Sequence, residues 1–147
     1  MHPISKQVAN CLKSGRVAFV AGCGGLAAEA LHFSGEFVGK FKKDRRALPV
    51  MALGANPSVV TAIANDFSFD VVYARELEAF AHEGDIFIAL STSGKSKIIL
   101  NAIQKANDMG LITIDFPREG FDVPQIQENQ LKLLHKIALE VEEEMFP

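Results

Sequence analysis

The chain has 147 residues, a formal net charge of −3, 48% hydrophobic residues and 22% charged residues. That length supports one hydrophobic core and is too short for two, and the composition is that of an ordinary globular protein. The basic residues are outnumbered and scattered, which argues against capture of nucleic acid, and two cysteines do not make a disulfide scaffold.

The opening stretch MHPISKQVAN lacks the apolar core of a signal peptide. No apolar run approaches the length of a membrane span. A cytoplasmic protein with Cys11 and Cys23 as reduced thiols is therefore expected. A short polar helix is predicted over residues 3 to 14. RVAFVA, Arg16 to Ala21, reads as a buried strand between Gly15 and Gly22. After the loop GCGG, a helix is predicted from Leu26 to about Lys43, with Ala27, Ala30, Leu31, Phe33 and Phe37 on its apolar face. The basic cluster Lys40, Lys42, Lys43, Arg45 and Arg46 at its end reads as a solvated helix end.

LPVMAL, residues 48 to 53, is a second strand, and residues 58 to 66 form a helix with Ser58 as its cap. ELEAFAHEG is a helix stopped by Gly84. DIFIALS is a third strand, residues 96 to 109 a helix, and LITIDF a fourth strand. PREGFDVPQ is irregular. Pro124 opens a last helix that runs to about Glu144, with Leu131, Leu134, Ile137, Ala138 and Val141 on one stripe and a solvated acidic end, EVEEEMF. Apolar strands alternating with helices predict an α/β domain: a three-layer α/β/α sandwich on a parallel four- or five-stranded sheet. Ligands of such sheets bind beyond the carboxyl ends of the strands, where GCGG and STSGKS lie.

These two loops admit three readings. Gly94-Lys95-Ser96 could close a Walker A loop, but the first glycine of that pattern would fall at Ala89. Gly22 to Ala27 fits a dinucleotide fingerprint, but the second strand ends without an acidic residue for a ribose. The third reading is a monophosphate cradle. Ser91, Thr92, Ser93 and Ser96 gather hydroxyls around one turn, Gly94 permits a tight backbone, and the next helix points its N-terminus inward. A capping turn with no ligand would carry the same residues.

Longer blocks resemble the sugar isomerase (SIS) domain family. ALSTSGKSKIILNAIQKANDMGLITI resembles its S-T-S-G-N-S signature with the following helix and strand. GCGGLAAEALHFSGEFVGKF, TAIANDFSFD and QIQENQLKLLH are similar, in order, to blocks of the phosphoheptose isomerases. The resemblance implies one flavodoxin-like SIS domain over residues 1–147, in a homo-oligomer, dimer or tetramer, with active sites at subunit contacts. It implies a phosphorylated sugar as substrate and no nucleotide cofactor. The implied reaction is conversion of sedoheptulose 7-phosphate to D-glycero-D-manno-heptose 7-phosphate through an enediol, in heptose biosynthesis. A non-catalytic phosphosugar-binding or partner-binding regulator is the alternative.

By the same resemblance, Ser91, Thr92, Ser93 and Ser96 bind the phosphate, Glu36 is the catalytic base and His135 its acid partner. Gly24, Gly25, Asp66 and Lys95 belong to the substrate pocket, and a zinc site is implied at His32, Glu36, Gln127 and His135. The chemistry is compatible: isomerisation needs a base at carbon and an acid at oxygen, and His32 and Glu36, four apart, share a helix face. His2 and His82 read as ordinary structural or surface residues. Departures from the family pattern are Cys23 for Asn, Leu26 for Ser, Asn56 for Asp, Lys95 for Asn, Pro124 for Asp and Gln130 for His. The chain is also shorter than the family pattern at its N-terminus and between Asp115 and Gln127.

Overall fold

A computed structural model describes all residues from Met1 to Pro147. Four short strands, β1 (Ala18–Ala21), β2 (Val50–Ala52), β3 (Ile86–Ala89) and β4 (Ile112–Asp115), form one parallel sheet in the order β2-β1-β3-β4. Ala18 pairs with Val50 on one side and Ile86 on the other, and Ile86 pairs with Ile112. Six helices cover the sheet: α1 (Pro3–Lys13), α2 (Gly25–Val38), α3 (Pro57–Asp66), α4 (Val72–Phe80), α5 (Lys97–Asp108) and α6 (Val123–Met145).

Strand periodicity divides the core in two. Ala18, Val20, Ile86 and Ile88 pack toward α1, α2 and α6, while Phe19, Ala21, Phe87 and Ala89 pack toward α4 and α5. Successive side chains on a strand point to opposite faces, so sheets covered on both sides need apolar residues throughout. The three-layer architecture is as expected, with four strands. The chain leaves β1 toward β2 on one side and returns to β3 on the other. The switch point therefore lies between β1 and β3, flanked by the two loops singled out from sequence.

Several local expectations are corrected. The helix expected to reach Lys43 ends at Val38: Gly39, with ψ −120°, leaves helical space, and residues 40–49 fold back across α6. Hence the basic cluster is no solvated helix end, because the Arg45 side chain is 3% exposed against Glu142 at 1%. The acidic end of α6 is likewise not uniformly solvated. Leu31 is exposed, and Leu26 takes its place in the core. Asn56, not Ser58, caps α3, its side-chain oxygen accepting from the Ser58 N–H at 3.0 Å. The helix expected at 76–84 starts at Val72 and stops at Phe80, where Ala81 turns extended and Asp85 accepts from the His82 N–H. Cys11 and Cys23 are both free. No helix is long and apolar enough to cross a membrane.

Candidate active site

α2 and α6 lie side by side on one face of the sheet, and their seam gathers titratable side chains. At its loop end Gly25, the first residue of α2, sits against the Gln127 amide: a Cβ at Gly25 would lie 2.9 Å from the amide nitrogen. Two turns along both helices, His32 Nε2 stands 2.8 Å from His135 Nε2 and 2.9 Å from Glu36 Oε1. His135 Nε2 is 3.8 Å from the same oxygen. Glu36 is the most buried of the three, at 19% side-chain exposure against 46% and 41% for His32 and His135. The Phe41 ring stacks on the His135 imidazole with 5.8 Å between centroids.

Two imidazole nitrogens at this separation repel unless a proton or a metal ion lies between them. The three ligand atoms lie within 4.8 Å of one another. Two imidazoles and a carboxylate form a donor set suited to zinc, so the residues fit the metal expected there. Gln127 is placed differently from that expectation: its amide rests at Gly25, about 12 Å along the helix axis from His135 by residue count.

The hydroxyl-rich loop follows β3. Ser91 Oγ accepts from the Gly94 N–H at 2.9 Å and Ser93 Oγ from the Lys95 N–H at 3.0 Å, so the hydroxyls also shape the turn. Gly94 has φ +69°, a conformation that disfavours a side chain. Ser96 caps α5 without a side-chain bond to it; its hydroxyl is 3.6 Å from the Cys23 thiol, which joins the two loops. Ser91, Thr92, Ser93, Ser96, Cys23, Leu26 and Gln127 line a pocket of about 80 Å³. Larger hollows exist, one of about 360 Å³ on the outer side of α6, but the α5 N-terminus and the hydroxyls meet at the small one. Tyr73 braces the first loop by donating to the Gly22 carbonyl at 2.5 Å, and burial pushes its phenol up to about 12.

Of the residues expected in the site, the structure gathers Ser91, Thr92, Ser93, Ser96 and Gln127 at one end of the seam, beside Gly24 and Gly25. It brings His32, Glu36 and His135 together at the other. Lys95 is exposed on the loop. Asp66 is not brought to either group within this chain: it ends α3, exposed, accepting from Asn65.

Sequence reasoning passed over three features. The Arg118 guanidinium packs against Gly94 and pairs with Asp115. Glu29, on the same α2 stripe as His32 and Glu36, has a buried carboxylate oxygen without a partner, and burial pushes its carboxyl up to about 7. Arg45 and Glu142 form a buried pair behind the His32–Glu36–His135 cluster. No motif marks these residues, since each acquires its place only through the tertiary fold.

The SIS domain family description matches residues 2–116. The chain is 41% identical to the phosphoheptose isomerase of Crocosphaera subtropica over 95% of this chain and 79% of that protein. It is 41% identical to the phosphoheptose isomerase of Geobacter metallireducens over 92% and 80%. Among solved structures, a phosphoheptose isomerase from Francisella tularensis superposes with a TM-score of 0.91 at 25% identity, covering 95% of this chain and 83% of that one. The phosphoheptose isomerase of Neisseria gonorrhoeae gives 0.88, also at 25% identity and with the same coverage. The chain belongs to the SIS domain family, and within it to the phosphoheptose isomerases.

Proposed function

We propose that the protein converts sedoheptulose 7-phosphate into D-glycero-D-manno-heptose 7-phosphate, with Glu36 as base and His135 as acid. The observation that carries the assignment is the convergence of His32, Glu36 and His135 in a seam that begins at the hydroxyl loop. The phosphate end of the substrate belongs at Ser91, Thr92, Ser93 and Ser96, where hydroxyls and the free N–H groups of α5 favour an anion. The reacting carbons then lie toward Glu36.

Glu36 removes a proton from C1 of the open-chain ketose. The electron pair forms the C1–C2 double bond, and the C2 carbonyl oxygen takes a proton from His135. In the second half the O1 hydroxyl returns a proton to His135 as the C1 carbonyl forms, and Glu36 delivers its proton to C2. Protons and electrons balance, and both groups end as they began. A zinc ion held by His32, Glu36 and His135 would polarise the substrate carbonyl. A homo-oligomer, dimer or tetramer, with active sites at subunit contacts is part of this reading.

Residues 1–147 act as one SIS domain in this reading. The regulator alternative is not favoured, since a pure binder has no use for an acid and a base converged on one point. The test is an NMR assay with sedoheptulose 7-phosphate in deuterated water, with and without added zinc. Aldose product carrying deuterium at C2 supports the isomerase. Binding of the sugar phosphate with neither exchange nor product would overturn it.

A further inference from the structure

Behind the His32–Glu36–His135 cluster lies a buried charge pair. Arg45 Nε donates to Glu142 Oε1 at 3.0 Å, and the two side chains are 3% and 1% exposed. The rest of the Arg45 fork is spent on the last turn of α2. One terminal nitrogen donates to the Glu36 carbonyl at 2.7 Å; the other donates to the Phe37 carbonyl at 2.8 Å and the Gly39 carbonyl at 3.1 Å. These are carbonyls that a helix end leaves without intrahelical partners. Arg45 therefore fixes the backbone of the very residue that serves as base.

Glu142 is spent in the same way on the segment that follows. Its carboxylate accepts from the N–H groups of Phe41 at 3.3 Å, Lys42 at 2.9 Å and Lys43 at 3.0 Å. Burial alone would raise its carboxyl, but these donors and the Arg45 guanidinium hold it below the usual carboxylate range. Holding the Phe41 backbone keeps the Phe41 ring stacked on His135. Glu142 also stands seven residues after His135, two turns along the same face of α6. One ion pair thus reaches the base through its carbonyl, and the acid through its helix and the ring above it.

We propose that Arg45 and Glu142 are positioning residues for the isomerase reaction, a clamp that sets the separation of Glu36 and His135 across the α2–α6 seam. The proposal rests on the isomerase reading for its kinetic test, but its geometric content does not. A lysine at position 45 keeps the charge and loses the fork that grips three carbonyls at once. A glutamine at position 142 keeps the shape and loses the charge.

The experiment compares the wild type with Arg45→Lys, Glu142→Gln and the double variant Arg45→Met/Glu142→Leu. The apolar pair removes both charges together, which a core tolerates better than the loss of one. Each variant is checked for folding by circular dichroism, and kcat and KM are measured on the folded fraction. Imidazole nitrogen NMR of His135 and zinc affinity by competition with a chelating dye are recorded alongside. We expect kcat to fall about 10- to 100-fold, with KM within about twofold because the hydroxyl loop belongs to β3 and α5. The His135 signals should shift as Phe41 moves, and zinc should bind more weakly. A folded double variant with wild-type kcat and unshifted His135 signals would overturn the proposal. So would a loss of kcat that merely follows the unfolded fraction. If the wild type itself turns over no heptose phosphate, the functional reading fails, while the His135 signals and zinc affinity still decide the clamp.

Discussion

The two ends of the α2–α6 seam are built on opposite principles. The hydroxyl loop is local: Ser91, Thr92, Ser93 and Ser96 fall within six residues, and the Ser91 and Ser93 hydroxyls hold the turn by accepting from the Gly94 and Lys95 N–H groups. The catalytic end is assembled from afar, with His32 and His135 separated by 103 residues and kept together by two helices and a buried ion pair. The difference teaches a division of labour. A self-bonded loop of hydroxyls, with Lys95 exposed beside them, suits a phosphate whose charge does not change in the reaction. The proposed proton transfer needs groups whose separation is held to a fraction of an ångström, which packed helices provide.

Glu36→Gln would break this comparison most sharply: kcat should fall about 10²- to 10⁴-fold, while KM, set at the loop, stays near the wild-type value. Loss at the loop should read the other way. Ser96→Ala removes a hydroxyl from the cradle without removing a cap bond from α5, and KM should rise about tenfold with kcat little changed. Both follow from steady-state kinetics on the purified variants.

Stability should separate from activity in the core beneath the seam. Phe33 is 1% exposed and packs edge-on to Phe37 at 4.8 Å. Phe33→Ala should cost about 3–5 kcal/mol in urea unfolding, far more than any substitution in the loop.

The smallest effect concerns Glu29. Its folded carboxyl, raised by burial from 4.5 to about 7, binds more protons than the unfolded chain in that interval. Its contribution to stability is therefore full below pH 4.5 and is lost as pH rises through about 7. Glu29→Gln should flatten the decline in urea midpoint across this window, and an unchanged pH profile would show that the group is solvated in solution.

Legibility in the sequence followed the same local–distant divide. The strands and most helices were readable because apolar runs and 3.6-residue stripes are local patterns, and the α/β/α sandwich follows from their alternation, which left four or five strands open until the structure showed four. STSGKS stood out as a candidate phosphate cradle because its hydroxyls lie in nearly consecutive residues, and the structure gathers them around one small pocket. His32 with Glu36 was half readable from helical spacing, but nothing local joined them to His135; only the family resemblance did. Arg45 and Glu142 misled, since a basic cluster and an acidic tail look solvated until the fold buries one member of each against the other. The ends of α2 and α4 were misplaced for a related reason. The Gly39 carbonyl accepts from Arg45 in the folded-back segment, and Asp85 accepts from the N–H of Val17, 68 residues away, as well as from that of His82.

The central claim is that the helix seam performs the proton transfer and the hydroxyl loop only holds the phosphate. The most direct measurement follows turnover of sedoheptulose 7-phosphate and deuterium incorporation from solvent in Glu36→Gln and Ser96→Ala at saturating substrate. The account predicts that Glu36→Gln loses both signals, while Ser96→Ala keeps both once substrate is raised. Full turnover in Glu36→Gln, or an Ser96→Ala enzyme that saturation cannot restore, would contradict it.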